Sequence, residues 1–400
     1  MKNAFPTLPR VAVQSLRASK IREVANAGIG RADVLPFWFG EPDEVTPQFI
    51  RDAASASLAR GETFYSHNLG LAELRTTIAN YLSALHPNPA LPMAMDNIAV
   101  TSSGVNALSL AAQALIDPQD RVVCVTPLWP NLVEIPKILS AQVECVALEF
   151  DARRGWQLNM DRLLAALTPN TRLVMLNSPN NPTGWTLTRD EQQTILDHCR
   201  KHGIWILADD AYERLVYSDK ERCAPSFFDI AHAQDRLISA NTFSKSWLMT
   251  GWRLGWLAGP ASFIEPLGKI IEYNTSCAPV FVQRAGQVAI EQGDAVIART
   301  QQRFRAARDH LCQALGKIEG LAAPAPPGAM YVFFKCRGLT DSLEFCKQLV
   351  TEHAIGLAPG AAFGDEGEGF VRWCFASETA RLDEGIARFT KGVSAKGKQS

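Results

Sequence analysis

The alternation of short apolar runs with helix-length segments between residues 97 and 260 most constrains the fold of this chain. The runs "RVVCVTP" (121–127), "TRLVMLNSP" (171–179) and "IWILADD" (204–210) are nearly continuously apolar, so they indicate strands that are buried on both faces. The segments between them are long enough for helices that cover the sheet. We therefore predict an α/β fold with a mostly parallel sheet sandwiched by helices.

The pattern changes after about residue 280. A long helical region is followed by "AMYVFFKC" (329–336), "DSLEFCKQLVTEH" (341–353) and "FVRWCFAS" (370–377), which predict a smaller α+β domain. We expect the first forty residues to form an arm and a helix that pack against this domain. The predicted division is an N-terminal arm (1–45), a large domain (46–285) and a small C-terminal domain (286–400).

Composition excludes several classes of function. Forty basic and forty-one acidic residues leave a formal net charge of −1, which argues against a nucleic-acid or membrane-surface partner. The nine cysteines form no CxxC pair and the seven histidines show no ligand spacing, so we expect neither disulfides nor a metal site. No apolar stretch has the length of a membrane span, and the start lacks the apolar core of a secretory signal. We expect a cytoplasmic protein.

Polar or aromatic residues stand at the ends of five predicted strands. These residues are Ser103 and Gly104, Trp129, Asn177 and Asn181, Asp209 and Tyr212, and the group Thr242, Ser244 and Lys245. In an open α/β sheet the ligand crevice lies beyond the carboxyl ends of the strands, so these groups are expected to converge. Each one alone has an ordinary structural explanation, such as an N-cap or a turn. Their combination predicts a site.

The residue types at these ends suit one cofactor. The turn 103–105 begins a helix and presents backbone N–H groups to a phosphate, and Thr242, Ser244 and Arg253 can add donors. A carboxylate at Asp209 needs a cationic partner such as a protonated ring nitrogen. A lysine whose pKa is lowered can condense with an aldehyde, and Lys245 is the candidate for this role. Phosphate, ring nitrogen and aldehyde together describe pyridoxal 5′-phosphate (PLP).

Five motifs then carry a resemblance to a known family. They are "SPNNPTG" (178–184), "ADDAY" (208–212), "SKSWLMTGWRLG" (244–255), "PGAAFG" (359–364) and "VRWCFA" (371–376). In this order and approximate spacing the chain resembles the class I/II aminotransferases of PLP fold type I, the aspartate-aminotransferase-like group, from residue 37 to residue 377. The resemblance implies a transaminase (EC 2.6.1.-) that takes an amino acid and a 2-oxo acid as substrates.

The resemblance also implies roles for single residues. Lys245 would form the aldimine with PLP, Asp209 would pair with the ring nitrogen, and Trp129 would stack on the ring. Tyr212 and Asn181 would hydrogen-bond the phenolic oxygen of the ring. The residues implied at the phosphate are Ser103, Gly104, Val105, Thr242, Ser244 and Arg253. Arg372 would grip the substrate α-carboxylate, with Asn181 and the backbone of Gly40 nearby. Tyr65 would reach the phosphate of a neighbouring subunit, which implies a homodimer with composite active sites.

The sequence favours a neutral amino donor. In one branch of the family a lysine at the position of Val105 helps to bind a distal carboxylate, whereas another branch uses an arginine from the partner subunit. Here Val105 is apolar. The segment "YNTSCAPVFVQ" (273–283) offers no cation before Arg284. Because an uncompensated second carboxylate would be costly in such a pocket, we expect an aliphatic, sulfur-containing or aromatic donor. The expected acceptor is 2-oxoglutarate or pyruvate.

Three alternatives share the same site residues. C–S β-lyases and cyclopropane-forming synthases divert the same chemistry into elimination. PLP-binding transcription regulators carry an N-terminal helix-turn-helix domain, but only about forty residues precede the resemblance, too few for such a domain.

Overall fold

A computed structural model describes residues 7–218 and 221–396 of the chain. Within these ranges the strands are β1 Leu35–Pro36, β2 Ile98–Thr101, β3 Arg121–Thr126, β4 Gln142–Ala147, β5 Glu149–Asp151, β6 Gly155–Gln157, β7 Thr171–Asn177, β8 Trp205–Asp209, β9 Leu237–Thr242, β10 Gly255–Ala258, β11 Leu321–Ala322, β12 Tyr331–Cys336, β13 Ile355–Gly356, β14 Ala358–Pro359 and β15 Phe370–Cys374. The α-helices are α1 Val11–Gln14, α2 Lys20–Ala27, α3 Gln48–Ala59, α4 Ala72–Leu85, α5 Gly104–Leu115, α6 Pro130–Ile138, α7 Met160–Ala166, α8 Arg189–His202, α9 Ala261–Glu272, α10 Val280–Gln292, α11 Asp294–Leu315, α12 Ser342–His353 and α13 Thr379–Lys396.

The central sheet has seven strands in the order β2-β10-β9-β8-β7-β3-β4. Strand β10 pairs antiparallel with both of its neighbours, and the other strands run parallel to one another. Helices between the strands provide the crossover connections that a parallel sheet requires. The predicted α/β fold with a mostly parallel sheet is confirmed.

Successive residues of the central strands face two separate cores. Val122 and Cys124 of β3 belong to a core shared with residues of α5, α6 and α9. Val123 and Val125 face the opposite core, to which α8 contributes. Because side chains alternate across a strand, a sheet that is covered on both faces needs apolar residues at every position. This is why the strands read as continuous apolar runs in the sequence.

Helix α8 shows how local sequence sets the ends of the covering helices. The Thr188 side chain accepts a hydrogen bond from the backbone N–H of Glu191, and the Glu191 carboxylate accepts one from the backbone N–H of Thr188. This reciprocal pairing satisfies donors that the first turn leaves open. The helix ends at Gly203, whose φ of +68° is accessible to glycine at little cost.

A second, antiparallel sheet has the strand order β11-β12-β15-β14. Helix α2 packs against α12 and β14, and β1 pairs with β13, so part of the first forty residues contacts the C-terminal region. Helix α10 packs against α3 and α4, whereas α11 packs against β12 and α13. The long helical region after residue 280 is thus two helices that divide at Gly293. The domain boundaries at residues 45 and 285 stay a prediction.

Candidate active site

A cavity of about 220 Å³ lies at the carboxyl edge of the seven-stranded sheet. The ends of β2, β3, β7, β8 and β9 all contribute to it, because these strands run in one direction and end at the same edge. The predicted site residues that line it are Gly40, Gly104, Val105, Trp129, Asn181, Asp209, Tyr212, Thr242, Ser244, Lys245, Arg253 and Arg372.

Two predicted residues, Ser103 and Tyr65, do not line the cavity. Ser103 is the N-cap of α5, and its hydroxyl oxygen accepts a hydrogen bond from the backbone N–H of Asn106 at 3.0 Å. Its side chain therefore organises the helix N-terminus, and direct phosphate contact stays a prediction. Tyr65 is 89% exposed, so it makes no part of the site of its own chain.

Lys245 follows β9 and places a half-buried amine in the cavity. Its Nζ donates to the carbonyl oxygen of Gly40 at 2.6 Å. Burial lowers the pKa of the Lys245 amine to about 8, and the positive charges of Arg372 and Arg253 act in the same direction. A lysine with such a pKa has a substantial neutral, nucleophilic fraction near neutral pH.

Asp209 ends β8 with a carboxylate that is buried but has no cationic partner. Its Oδ1 accepts from the backbone N–H of Ala211 at 3.2 Å. No lysine, arginine or histidine among the described residues forms an ion pair with it. Burial raises the pKa of Asp209 to about 7, against the lowering effect of Ala211 and Lys245. A cation bound against this carboxylate would hold it ionised, so the cavity is suited to a protonated ring nitrogen.

A cradle for an anion forms where α5 begins beside β9. A Cβ atom built on Gly255 would lie 2.6 Å from the carbonyl oxygen of Asn241 and 2.7 Å from the backbone nitrogen of Gly104. Only glycine therefore fits between the helix N-terminus and the strand. The Thr242 hydroxyl donates to Ser244 Oγ at 2.9 Å, which sets both oxygens at the same end of the cavity.

Arg253 adds a positive charge to this end. Its side chain is exposed, and its Nη1 donates to the carbonyl oxygen of Thr250 at 2.6 Å. Within residues 7–218 and 221–396, no carboxylate forms an ion pair with Arg253. A guanidinium without an internal anion beside a helix N-terminus is suited to phosphate.

Arg372 is the third cation of the cavity, and it is only 2% exposed. Its Nη1 donates to Asn181 Oδ1 at 2.9 Å, and its Nη2 donates to the carbonyl oxygen of Trp38. Its Nε is buried with no hydrogen-bond partner, and no acidic side chain in the described part of the chain pairs with it. Because a buried charge without a counter-ion is costly, this arrangement is suited to a bound carboxylate.

Comparison with known proteins decides the family. The sequence model of the family described as "Aminotransferase class I and II" matches residues 32–389. The chain belongs to this family. The aminotransferase is 31% identical to the aspartate aminotransferase of Pyrococcus horikoshii, over 94% of this chain and 95% of the other. It is 30% identical to the aromatic-amino-acid aminotransferase 2 of Thermococcus litoralis, over 96% and 98% of the two chains.

Solved structures agree with the sequence match. The aminotransferase superposes on the crystal structure of the Thermotoga maritima aspartate aminotransferase with a TM-score of 0.88. The two are 31% identical, and the likeness covers 96% of this chain and 100% of the other. The fold is therefore PLP fold type I, and the protein is a PLP-dependent transaminase. The comparisons do not favour the lyase alternative.

The cavity of the aminotransferase fits PLP on four separate observations. Lys245 offers a half-buried amine with a lowered pKa, and Asp209 is a buried carboxylate without a cationic partner among the described residues. The glycine-bounded start of α5 and the unpaired Arg253 form an anion site. These features match the aldehyde, the ring nitrogen and the phosphate of the cofactor, in that order.

The lining residues that were not predicted from the sequence are Ile21, Phe39, Leu108, Ala211 and Tyr331. Asn177 was recognised only as a polar strand end. Its Nδ2 donates to the backbone carbonyl of Asp209 at 3.0 Å, and its Oδ1 accepts from the backbone N–H of Asn181 at 2.7 Å. It thereby braces two predicted site residues. Its place at the end of a predicted parallel strand was the signal that put it at the site, although no role was predicted for it.

Proposed function

We propose that this aminotransferase moves an amino group from a neutral L-amino acid to a 2-oxo acid. One observation carries the proposal. The lysine and arginine residues that line the cavity are Lys245, Arg253 and Arg372. The proposed chemistry assigns each of them to the cofactor or to the substrate α-carboxylate. No lysine or arginine of the lining is left for a second carboxylate. Among the described residues of this chain, such a group would therefore be buried without a counter-ion.

The rest of the wall supports an apolar substrate side chain. Ile21, Phe39, Val105 and Leu108 contribute apolar surface to the cavity. Arg284, the nearest cation along the chain after residue 273, is already paired with two acidic side chains. Its Nε lies 3.4 Å from Glu62 Oε2 and its Nη1 lies 3.3 Å from Glu73 Oε1. The relatives named above act on aspartate or on aromatic amino acids, so family membership alone leaves the donor open.

The residues of the chain divide the chemistry between them. Bound PLP supplies an aldehyde that exchanges amines and a cationic ring that withdraws electrons. Arg372 binds the substrate α-carboxylate through two parallel donors and so orients the α-carbon. The amine of Lys245 then acts as general base and removes the proton from the substrate α-carbon. It acts as general acid when it delivers this proton to the aldehyde carbon of the cofactor. Asp209 stays ionised while a cation faces it.

Asn181 and Tyr212 complete the polar contacts. The Asn181 Oδ1 is committed to Arg372, which leaves its Nδ2 as a donor toward the cavity. The Tyr212 hydroxyl is buried in the lining of the cavity, where it can donate to the phenolic oxygen of the cofactor. The proposed location of the enzyme is the cytoplasm, where its nine cysteines, all free thiols, would stay reduced.

A panel of amino donors tests the proposal. With 2-oxoglutarate or pyruvate as acceptor, we expect kcat/KM for leucine, methionine or phenylalanine to exceed that for aspartate and glutamate by at least about ten-fold. Replacing Val105 with lysine should raise kcat/KM for aspartate about ten-fold or more, because the new ammonium supplies the missing counter-ion. The matched control is Val105→Met, which adds length without charge and should not raise it.

Two outcomes of the panel would contradict the proposal. Aspartate as the best donor of the unmodified enzyme would show that the cavity binds a second carboxylate. Release of ammonia and pyruvate from cystathionine without any keto-acid acceptor, faster than transamination, would show an elimination enzyme instead.

We also propose a homodimer in which Tyr65 of the partner subunit completes the phosphate end of the site. Tyr65 and Tyr273 are 89% and 91% exposed, which is unusual for large aromatic side chains. The segments that carry these two tyrosines contact each other, and the segment of Tyr273 contacts the first turn of α5. The backbone N–H of Ser66 contacts Cys277 Sγ at 3.4 Å, and Asn106 donates to the side chain of Asn274 at 2.9 Å.

Sedimentation and cofactor affinity test the dimer. We expect a mass of twice the chain in analytical ultracentrifugation. Tyr65→Phe should weaken PLP binding about ten-fold, the effect of losing one hydrogen bond to a charged group. Tyr273→Phe is the control, because Tyr273 is a similarly exposed tyrosine on a neighbouring segment, and this variant should retain PLP affinity. A monomer in which Tyr65→Phe leaves PLP affinity unchanged would overturn the proposal.

A further inference from the structure

Tyr331, at the start of β12, contacts three residues of the cavity: Tyr212, Arg372 and Gly40. Its hydroxyl lies 2.7 Å from the hydroxyl of Tyr212, and its ring lies 4.4 Å from the guanidinium carbon of Arg372. A Cβ atom built on Gly40 would lie 1.9 Å from the Tyr331 hydroxyl oxygen. The side chain is fully buried. No residue in the motifs of the sequence predicted this convergence.

The contact with Tyr212 fixes the direction of a proton. Each hydroxyl carries one proton, so only one of the two can donate across the 2.7 Å contact. The Tyr212 hydroxyl can donate into the cavity only when it accepts from Tyr331. When Tyr331 donates to Tyr212, the bond that Tyr212 donates to a ligand becomes stronger, because chained hydrogen bonds of this kind strengthen one another.

The ring of Tyr331 performs a separate task. It lies on one side of the Arg372 guanidinium, and the ring of Phe363 lies 4.9 Å from the same carbon. The two aromatic rings exclude water from this guanidinium but carry no net charge. The positive charge of Arg372 therefore stays available to pair with a carboxylate. The hydroxyl and the ring thus act on different site residues.

We propose that Tyr331 is a positioning residue with two separable roles. Its hydroxyl directs the Tyr212 proton toward the bound cofactor, and its ring fixes Arg372 for the substrate α-carboxylate. The inference rests on the proposed transamination at this site. The hydroxyl role concerns only cofactor binding, so it can be measured without turnover.

Two substitutions separate the roles. Tyr331→Phe removes the hydroxyl and keeps the ring. In the PLP-loaded enzyme it should raise the midpoint of the pH titration of the visible absorption band by about 0.5 unit. The reason is that Tyr212, without a hydrogen bond from Tyr331, donates a weaker hydrogen bond to the cofactor, and this bond stabilises the deprotonated form of the bound cofactor. The KM for the amino donor should stay within about two-fold. Tyr331→Leu removes the ring as well and should raise this KM about ten-fold.

Tyr217→Phe is the matched control, because Tyr217 is also buried and its hydroxyl donates to the carbonyl oxygen of Ala329, outside the cavity. It should lower the melting temperature without moving the titration midpoint or KM. An unshifted midpoint in Tyr331→Phe would overturn the hydroxyl role, and an unchanged KM in Tyr331→Leu would overturn the ring role. Should Tyr331→Leu fail to fold, Tyr331→Met replaces it. Absence of transamination by the unmodified enzyme would refute the proposed function, whereas the midpoint comparison needs only bound PLP.

Discussion

Replacing Lys245 with alanine should lower the transamination kcat by about ten-thousand-fold. The amine lies half-buried in the cavity, its Nζ is held 2.6 Å from the carbonyl oxygen of Gly40, and its pKa is lowered to about 8 by desolvation. No other lysine lines the cavity, so nothing in the described chain replaces this base. The measurement is steady-state turnover with the best donor of the panel, at saturating PLP.

The control for this variant is Lys269→Ala. Lys269 lies exposed on α9, outside the cavity, and its loss should leave kcat unchanged. PLP content is measured in parallel, because phosphate contacts should keep cofactor in the Lys245→Ala protein. Turnover within ten-fold of the unmodified enzyme would contradict the role of Lys245.

Replacing Asp209 with asparagine should lower kcat about a thousand-fold while most of the cofactor affinity remains. The substitution keeps the shape of the side chain and removes its charge. Without that charge the ring nitrogen of the cofactor loses its counter-ion, and the ring withdraws electrons less strongly. The measurement compares kcat and the dissociation constant of PLP in the two proteins.

The neighbouring Asp210 provides a close control. Burial raises the pKa of both carboxyl groups to about 7, but Asp210 accepts from the Ser239 hydroxyl at 2.5 Å and does not line the cavity. Asp210→Asn should therefore change stability more than kcat. Equal losses of kcat in Asp209→Asn and Asp210→Asn would show that the Asp209 effect is structural.

The sheet and most of the site could be predicted because they depend on strand direction. Continuously apolar runs indicate parallel strands, and parallel strands end at one edge, so Asp209 and Lys245 were expected to meet across 36 residues of sequence. The break at Gly293 was not predicted, because helical periodicity continues on both sides of it. A single glycine within a helical pattern does not by itself indicate that one helix ends and another begins.

The part of the site that the sequence did not reveal comes from outside the central sheet. Tyr331 lies in an apolar strand of the second sheet, 119 residues from Tyr212, with which it shares a hydrogen bond. An apolar strand pattern does not show which residue faces a distant cavity. The same holds for Ile21 and Phe39, which reach the cavity from the N-terminal region. Their positions depend on how the two sheets pack, which no local motif encodes.

Chemical trapping of the cofactor tests the central claim most directly. Borohydride reduction of the PLP-loaded protein, followed by proteolysis and mass spectrometry, should show the cofactor mass on the peptide that carries Lys245 and on no other lysine. If the borohydride-treated protein carries no cofactor on this peptide, or carries it on a different lysine, the assignment of Lys245 is contradicted.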